Sequence, residues 1–300
     1  MARSPEERRG AAVAEKLTPH FEEVQAHYDL SDDFFRLFLD PTMTYSCAYF
    51  DRLRDITLEE AQIRKVDLAL GKLGLRSGMT LLEVGCGWGS TIRRAVDKYD
   101  VDVIGLTLSE HQAAHVRKLL DEMDTARSRR VLLQGWEQFD EPVDRIVSIG
   151  AFEHFGYDRY DDFFELAFRI LPDDGVMLLH TITMLTPQQM LERGLPMTEE
   201  LTSFTEFIGT EIFPGGQLPP IEMVEFHASK AGFNLARRQS LRLHYARTLD
   251  LWAAALQEHQ SEAIRIQSEE VYQRYMKYLT GCAWAFRAGY IDVNQFTLGK

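Results

Sequence analysis

Leu81-Leu82-Glu83-Val84-Gly85-Cys86-Gly87-Trp88-Gly89-Ser90 is an apolar run that ends in a glycine-rich turn and opens onto a helical pattern. That is the sequence form of a nucleotide-binding βα corner. Glycines at 85, 87 and 89 let the main chain turn sharply and approach a ligand where any Cβ would intrude. The Glu-x-Gly-x-Gly-x-Gly spacing is tighter than the Gly-x-Gly-x-x-Gly of dinucleotide sites, and no Gly-Lys-Ser/Thr is present to cradle a triphosphate. Outward from this corner, strand patterns follow at residues 101–108 (VDVIGLTL), 131–133, 143–149 (VDRIVSI) and 176–182 (VMLLHTI). Helical patterns at 91–99, 110–123 and 160–170 separate them, with short connections. This alternation predicts an α/β domain whose mostly parallel sheet carries helices on both faces and binds ligands at the carboxyl ends of its strands.

Composition narrows the function classes. A chain of 300 residues with 45% hydrophobic content can bury a large core as one domain with insertions. The net charge of −13 and the lack of any lysine/arginine run argue against nucleic acid as a partner. The longest apolar runs fall far short of the ~20 residues a membrane helix needs, and the start, MARSPEERR, has no apolar h-region. The expectation is a cytoplasmic protein with no membrane span. Cys47, Cys86 and Cys282 are widely separated, without Cys-x-x-Cys spacing, which argues against a structural metal and against a disulfide framework.

Three segments lie outside the βα pattern. Residues 1–16 read as a loose polar tail and 17–300 as a single domain: a helical cap over 17–78, the βα core over 79–185, a lid-like insertion over 186–220, and a C-terminal part of the core with a helical segment over 221–300. The cap contains Phe21, His27 and Tyr28, then Phe34, Phe35 and Phe38, then Thr44-Tyr45-Ser46-Cys47-Ala48-Tyr49-Phe50. The insertion carries Phe204, Phe207, Ile212 and Phe213 before the turn signal Pro214-Gly215-Gly216. Residues 248–287 show a helical pattern, and 290–298 a final strand. Aromatic residues at helical spacing ordinarily build core. Clustered in segments that would overhang the carboxyl edge of the sheet, they also suit an apolar slot for a lipidic chain.

The glycine-rich turn resembles motif I of the S-adenosylmethionine-dependent methyltransferases. Taken in order, Thr44 to Phe50, Glu83 to Gly89, Gly105-Leu106-Thr107-Leu108-Ser109 with Gln112, Gln134-Gly135-Trp136-Glu137, Gly150-Ala151-Phe152-Glu153-His154-Phe155, His180-Thr181-Ile182, Ile212 to Gly216 and His244-Tyr245 are similar to the mycolic acid cyclopropane synthases. These are relatives of bacterial cyclopropane-fatty-acid synthase, and the resemblance spans nearly the whole chain after the tail. It implies a class I methyltransferase fold, Rossmann-like, with a seven-stranded sheet.

The resemblance also implies a reaction. Methyl transfer from S-adenosylmethionine to a cis double bond in an acyl chain leaves a carbocation and S-adenosylhomocysteine, and loss of a proton from the new methyl group closes a three-membered ring. An apolar, aromatic slot suits this chemistry, because ring faces stabilise a cation without capturing it. In the family a bicarbonate ion takes the proton. Its ligands map onto Cys47, Glu153, His180 and Tyr245, with backbone groups near Ile149 and Gly150. Bicarbonate can donate to Glu153 while accepting from His180 and the Tyr245 hydroxyl. Each residue also has a plain structural reading: a helix-capping Glu, a satisfied core His, a packing Tyr. Cys282, in Tyr278-Leu279-Thr280-Gly281-Cys282, is a weaker catalytic candidate, since a helical cysteine among apolar neighbours more often packs. Cys86 reads as filling space inside the turn.

Cofactor contacts carry over by position. Tyr45 and Ser46 are expected at the methionine end, with Leu81, Leu82, Glu83, Val84, Gly85, Cys86, Gly87, Trp88 and Gly89 beneath it. Thr107, Leu108, Ser109 and Gln112 follow strand two, and Trp136 and Glu137 flank the adenine. The acidic residue that normally ends strand two is missing, as in the cyclopropane synthases. Glu83 stands where the family usually has Asp, Tyr157-Asp158 where His-Glu is expected, and Glu206 where a basic residue is expected. Ring-closing members resemble this chain in having Gly before Ala-Phe-Glu, whereas hydroxylating members have Glu there, so Gly150 favours cyclopropanation over water capture. A small-molecule O- or N-methyltransferase and a non-catalytic cofactor- or acyl-carrier-binding protein are the other readings. The implied substrate is a long meromycolyl chain on an acyl carrier protein, for which Arg237, Arg238, Arg242 and Arg247 are candidate docking residues.

Overall fold

The structure, a computed structural model, describes residues 17–19, 31–50 and 55–300. The expected tail over 1–16 and the pattern containing Phe21, His27 and Tyr28 lie outside the described residues. The strands are β1 (Thr80–Val84), β2 (Asp102–Thr107), β3 (Arg129–Leu133), β4 (Arg145–Ile149), β5 (Val176–Met184), β6 (Asn234–Ser240) and β7 (Ile291–Gly299). They form one seven-stranded sheet in the order β3-β2-β1-β4-β5-β7-β6. The first five run parallel; β7 is antiparallel to both β5 and β6.

Helices α1 (Asp32–Arg36), α2 (Leu58–Leu70), α3 (Ser90–Tyr99), α4 (Glu110–Asp121), α5 (Tyr160–Ile170), α6 (Pro187–Glu192), α7 (Glu199–Phe207), α8 (Ile221–Lys230), α9 (Arg242–Glu258), α10 (Gln260–Ile266) and α11 (Glu269–Ala288) surround it. Their starts are written locally. Thr57 and Glu60 close a capping box on α2, Thr186 and Gln189 close one on α6, and Ser109 caps α4. Strand residues alternate between two faces. Leu81, Val103, Val147 and Leu178 pack with Val66, Ile92 and Val116 of α2, α3 and α4. Leu82, Ile104, Ile146 and Met177 pack with Phe163, Phe164 and Val224 of α5 and α8. Helices therefore cover both faces, as the alternation of patterns predicts.

A third cluster stands over the carboxyl ends of the strands. Phe34, Phe35 and Phe38 of the cap join Tyr245, Trp252, Tyr275, Tyr278 and Phe286 of α9 and α11, with Trp88 of the glycine turn. The Phe35 and Trp88 rings lie 5.2 Å apart and so tie the cap to the turn. Each buried aromatic side chain of this kind contributes about 1.5–3 kcal/mol of transfer free energy. Among the described residues, no helix is long and apolar enough to cross a membrane.

Two elements depart from expectation by more than a residue or two at an end. The helical pattern over 248–287 is three helices beginning earlier, at Arg242. Strand β6 was not placed from the sequence, because almost all of Asn234–Ser240 is exposed and no apolar alternation marks it. Its arginines suit an edge strand, where charge discourages pairing with another chain.

Candidate active site

The sheet reverses direction of winding between β1 and β4, and a crevice opens there at the strand ends. The turn after β1 is tied down by the Gly85 and Cys86 N–H groups, which both donate to the Leu106 carbonyl at 3.0 and 2.8 Å. Gly85 has φ of +81°, and a Cβ built on it would stand 2.4 Å from the Ala151 Cβ, so the turns after β1 and β4 touch only because residue 85 lacks a side chain. Cys86 lies over Gly105, whose added Cβ would come within 3.0 Å of the Cys86 sulfur.

A cleft of about 130 Å³ follows this crevice. Tyr45 and Ser46 wall one side, Glu83 to Trp88 the floor, Thr107, Leu108 and Gln112 the next strand end, and Trp136 and Glu137 the far end. Four expected contact residues stand outside it. Leu81 and Leu82 are buried on opposite faces of β1, in the two helix-covered cores. Gly89 gives room to Val116 and Leu119, which its Cβ would approach at 3.1 and 3.0 Å. Ser109 accepts from the Gln112 N–H and caps α4. These four shape the cleft without lining it.

Lys65 lines the cleft and was not expected there. It is 1% exposed and donates from Nζ to Ser46 Oγ at 2.8 Å. One turn before it, Gln62 donates to the Thr44 and Ser46 carbonyls at 3.2 and 2.8 Å, so α2 holds the Tyr45–Ser46 strap in place. The available signal was a lysine on the buried stripe Ala61, Lys65, Ala69 of a capped helix. Burial raises the Glu83 carboxyl to about 8, against hydrogen bonds from Thr91 and Ile92 and the Lys65 charge. Burial likewise lowers Lys65 to about 8. Glu83 Oε2 is buried with no partner among the described residues. A buried acceptor and a buried ammonium beside a glycine turn fit the charged amino-acid end of S-adenosylmethionine.

The second cavity is apolar and larger, about 680 Å³. The insertion supplies Met197, Leu201, Phe204 and Phe213, and α9 and α11 supply Tyr245, Tyr278 and Phe286. It meets the cofactor cleft at Tyr45, Ser46, Gly150 and His154, the residues that line both. Glu153, His180, Tyr245 and Cys282 also line this cavity. Ile149 lines only the cleft. Cys47 lines neither: its sulfur faces the Ala48 and Leu241 carbonyls at 3.2 and 3.8 Å. Any contact it makes in the site therefore runs through its main chain.

Glu153 Oε1 accepts from the Ile182 N–H at 2.7 Å, while Oε2 is buried with no partner among the described residues. Burial pushes its carboxyl upward, against the hydrogen bonds it accepts. His180 is held well below its ordinary value by burial and by the Lys65 and Lys72 charges, so its ring is neutral. Burial raises Tyr245 well above the phenol range and Cys282 to about 12, so the first is an O–H donor and the second a protonated thiol. A neutral imidazole, a phenol and an acceptor-rich carboxylate make a donor and acceptor set that fits bicarbonate.

The chain matches the family described as Mycolic acid cyclopropane synthetase over residues 15–296. It belongs to that family. It is 75% identical over 284 residues to cyclopropane mycolic acid synthase MmaA2 of Mycobacterium tuberculosis, covering 95% of this chain and 99% of that one. Cyclopropane mycolic acid synthase 1 of the same organism is 70% identical over 288 residues, covering 96% and 100%. The solved structure of MmaA2 superposes with a TM-score of 0.93, covering 95% of this chain and 99% of that one. That of CmaA1 complexed with SAH and CTAB also gives 0.93, at 70% identity, covering 95% and 100%. Coclaurine N-methyltransferase, at 21% identity and a TM-score of 0.77, shares the fold. The protein is thus an S-adenosylmethionine-dependent methyltransferase of the class I fold.

Proposed function

We propose that this enzyme closes a cyclopropane ring on a cis double bond of a long unsaturated acyl chain, of the meromycolyl kind, with bicarbonate as the base. The carrying observation is the junction: a polar cofactor cleft and a large apolar cavity share Tyr45, Ser46, Gly150 and His154, and Glu153, His180 and Tyr245 stand on the apolar side. S-adenosylmethionine supplies a methyl group on a sulfonium. Bicarbonate, held by Glu153, His180 and Tyr245 with main-chain groups at Cys47, Ile149 and Gly150, supplies a base beside the methyl group.

The chain's own residues do the rest. Phe204, Phe213, Tyr278 and Phe286 keep water from the cation formed on the acyl chain and offer it ring faces. Glu153 Oε2, without a partner among the described residues, accepts the hydrogen bond of the bicarbonate O–H. The neutral His180 ring and the Tyr245 hydroxyl donate without adding positive charge next to a sulfonium. Gly150 brings no carboxylate to the junction, which favours ring closure over water capture.

Delivery of the acyl chain by a carrier protein in the cytoplasm belongs to the same reading. Its docking surface would be the arginine group Arg237, Arg238, Arg242 and Arg247, three members of which also make contacts within the chain. Arg238 pairs with Glu225 at 2.8 Å, Arg242 donates to the Phe286 and Arg287 carbonyls, and Arg247 lies 4.3 Å over the Phe50 ring.

The test is proton NMR and mass spectrometry of acyl chains treated with purified protein and labelled S-adenosylmethionine, with and without bicarbonate. A gain of one CH₂ with upfield ring protons, dependent on bicarbonate, is the expected result. A methyl-plus-hydroxyl product would mean that water captures the cation.

A further inference from the structure

His180 does not stand alone in the sheet. It lies opposite Gln295 of β7, which lies opposite Gln239 of β6, so the three form one transverse row across β5, β7 and β6. Residues directly opposed in a sheet share a face. Lys72, in the segment after α2, reaches this row: its Nζ donates to Gln239 Oε1 at 2.8 Å and to Gln295 Oε1 at 2.5 Å. Gln295 Nε2 in turn stands 3.2 Å from His180 Nδ1. Gln295 is fully buried and His180 is 1% exposed.

We propose that Lys72 and Gln295 are positioning residues that hold His180 with its proton on Nε2, so that an N–H faces the acyl cavity. The argument is one of donors and acceptors. An ammonium has only donors, so the Gln295 amide must turn its oxygen to Lys72 and its NH₂ to the imidazole. A donor aimed at Nδ1 requires a lone pair there, and a neutral ring then carries its proton on the other nitrogen. Gln239 shares the Lys72 charge and keeps the lysine over the row. Such outer partners fix the tautomer and orientation of a functional imidazole. A merely structural row of buried amides would contribute stability but would have no reason to be ended by a donor-only group. The inference rests on the reading of His180 as a donor to an anion, and its test separates the two.

Nitrogen-15 NMR of histidine-labelled protein in its S-adenosylhomocysteine complex reads the tautomer directly, without turnover. The expected signature for His180 is an unprotonated Nδ1 and a protonated Nε2. In Gln295→Glu the carboxylate accepts from both neighbours, and Nδ1 gains a proton. In Gln295→Met the donor is gone, and turnover falls roughly 10- to 100-fold, the range such outer partners carry, at unchanged S-adenosylhomocysteine affinity. Lys72→Met reproduces part of that loss and Lys72→Arg restores it. A wild-type His180 protonated on Nδ1, or a Gln295→Met enzyme with full turnover, overturns the proposal. A fully active His180→Ala enzyme would instead remove the functional reading of His180 while leaving the tautomer result standing.

Discussion

The cofactor cleft and the acyl cavity touch at four residues, yet they are built in opposite ways. The cleft is drawn mostly from one continuous βα run, residues 83–155, with the Met43–Ser46 strap and Lys65 added across it. The cavity gathers residues from the cap to β7, and most of its walls are side chains of the insertion, α9 and α11. Where a strand end meets a turn, glycine conformation and a few hydrogen bonds define the shape. Where remote helices converge, packing of large apolar side chains defines it. The first kind of site is fragile to a single methyl group in the turn, the second to a change in how two helices approach.

The largest effect should fall on the apolar side and leave the polar side untouched. Glu153→Gln keeps the shape and removes the carboxylate, and turnover should drop on the order of 10²- to 10⁴-fold, the range of a proton-handling group. S-adenosylhomocysteine affinity by calorimetry should stay within about twofold, because Glu153 does not line the cleft. A parallel loss of cofactor affinity would show that the two compartments are not separate.

Gly85→Ala should do the reverse. Its Cβ would stand 2.4 Å from the Ala151 Cβ at a φ of +81°. Overpacking costs about 1–3 kcal/mol and left-handed backbone about 1–2 kcal/mol, so thermal unfolding and S-adenosylhomocysteine titration should both register a loss. Normal affinity in this variant would mean that the contact between the two turns does not set the cleft.

Gly281→Ala probes the other construction. The added Cβ would lie 2.3 Å from a Phe204 ring carbon, where α11 and α7 meet. A ring can swing, so the insertion shifts instead of the fold failing. We expect KM for the acyl substrate to rise several-fold with cofactor affinity unchanged, and an unchanged KM would dissociate the insertion from substrate binding.

This contrast explains what the sequence made legible. The turn at 85–89 and the strands on either side were readable because glycine spacing and short apolar runs are local signals, and these strands are buried nearly throughout. Strand β6 was not readable, since Asn234–Ser240 pairs at an edge and exposes nearly every side chain. The candidate site residues Glu153, His180 and Tyr245 came from resemblance to a family, not from any local pattern; taken alone they read as a helix cap, a core histidine and a packing tyrosine. Lys65 and Gln295 went unnoticed because each acts through a contact with a residue distant in sequence, Ser46 and His180 respectively. Cys47 is expected from the resemblance to hold bicarbonate, yet its sulfur faces the Ala48 and Leu241 carbonyls, a direction that no spacing rule encodes.

A last expected effect lies in the pH dependence of stability, and it sharpens the polar half of the comparison. Burial lifts Glu83 from an ordinary value of 4.5 to about 8. Between those two values the folded chain holds a proton that the unfolded chain has released, so stability falls as pH rises through this window, by at most about 1.4 kcal/mol per pH unit for one group. Asp40, Glu153 and Asp292 are raised as well and give slopes of the same sign. The difference between wild type and Glu83→Gln isolates the Glu83 share. His180 and His115, lowered by burial, give slopes of the opposite sign below about pH 6.5, so the check is the difference: from about pH 5 to 8 the wild type should lose melting temperature relative to the variant as pH rises. Adding S-adenosylhomocysteine should flatten the wild-type curve, because a ligand ammonium beside Oε2 favours the carboxylate and lowers its proton affinity. A ligand that leaves the slope unchanged would place its amino group elsewhere in the cleft and leave Glu83 with a purely structural part in the turn.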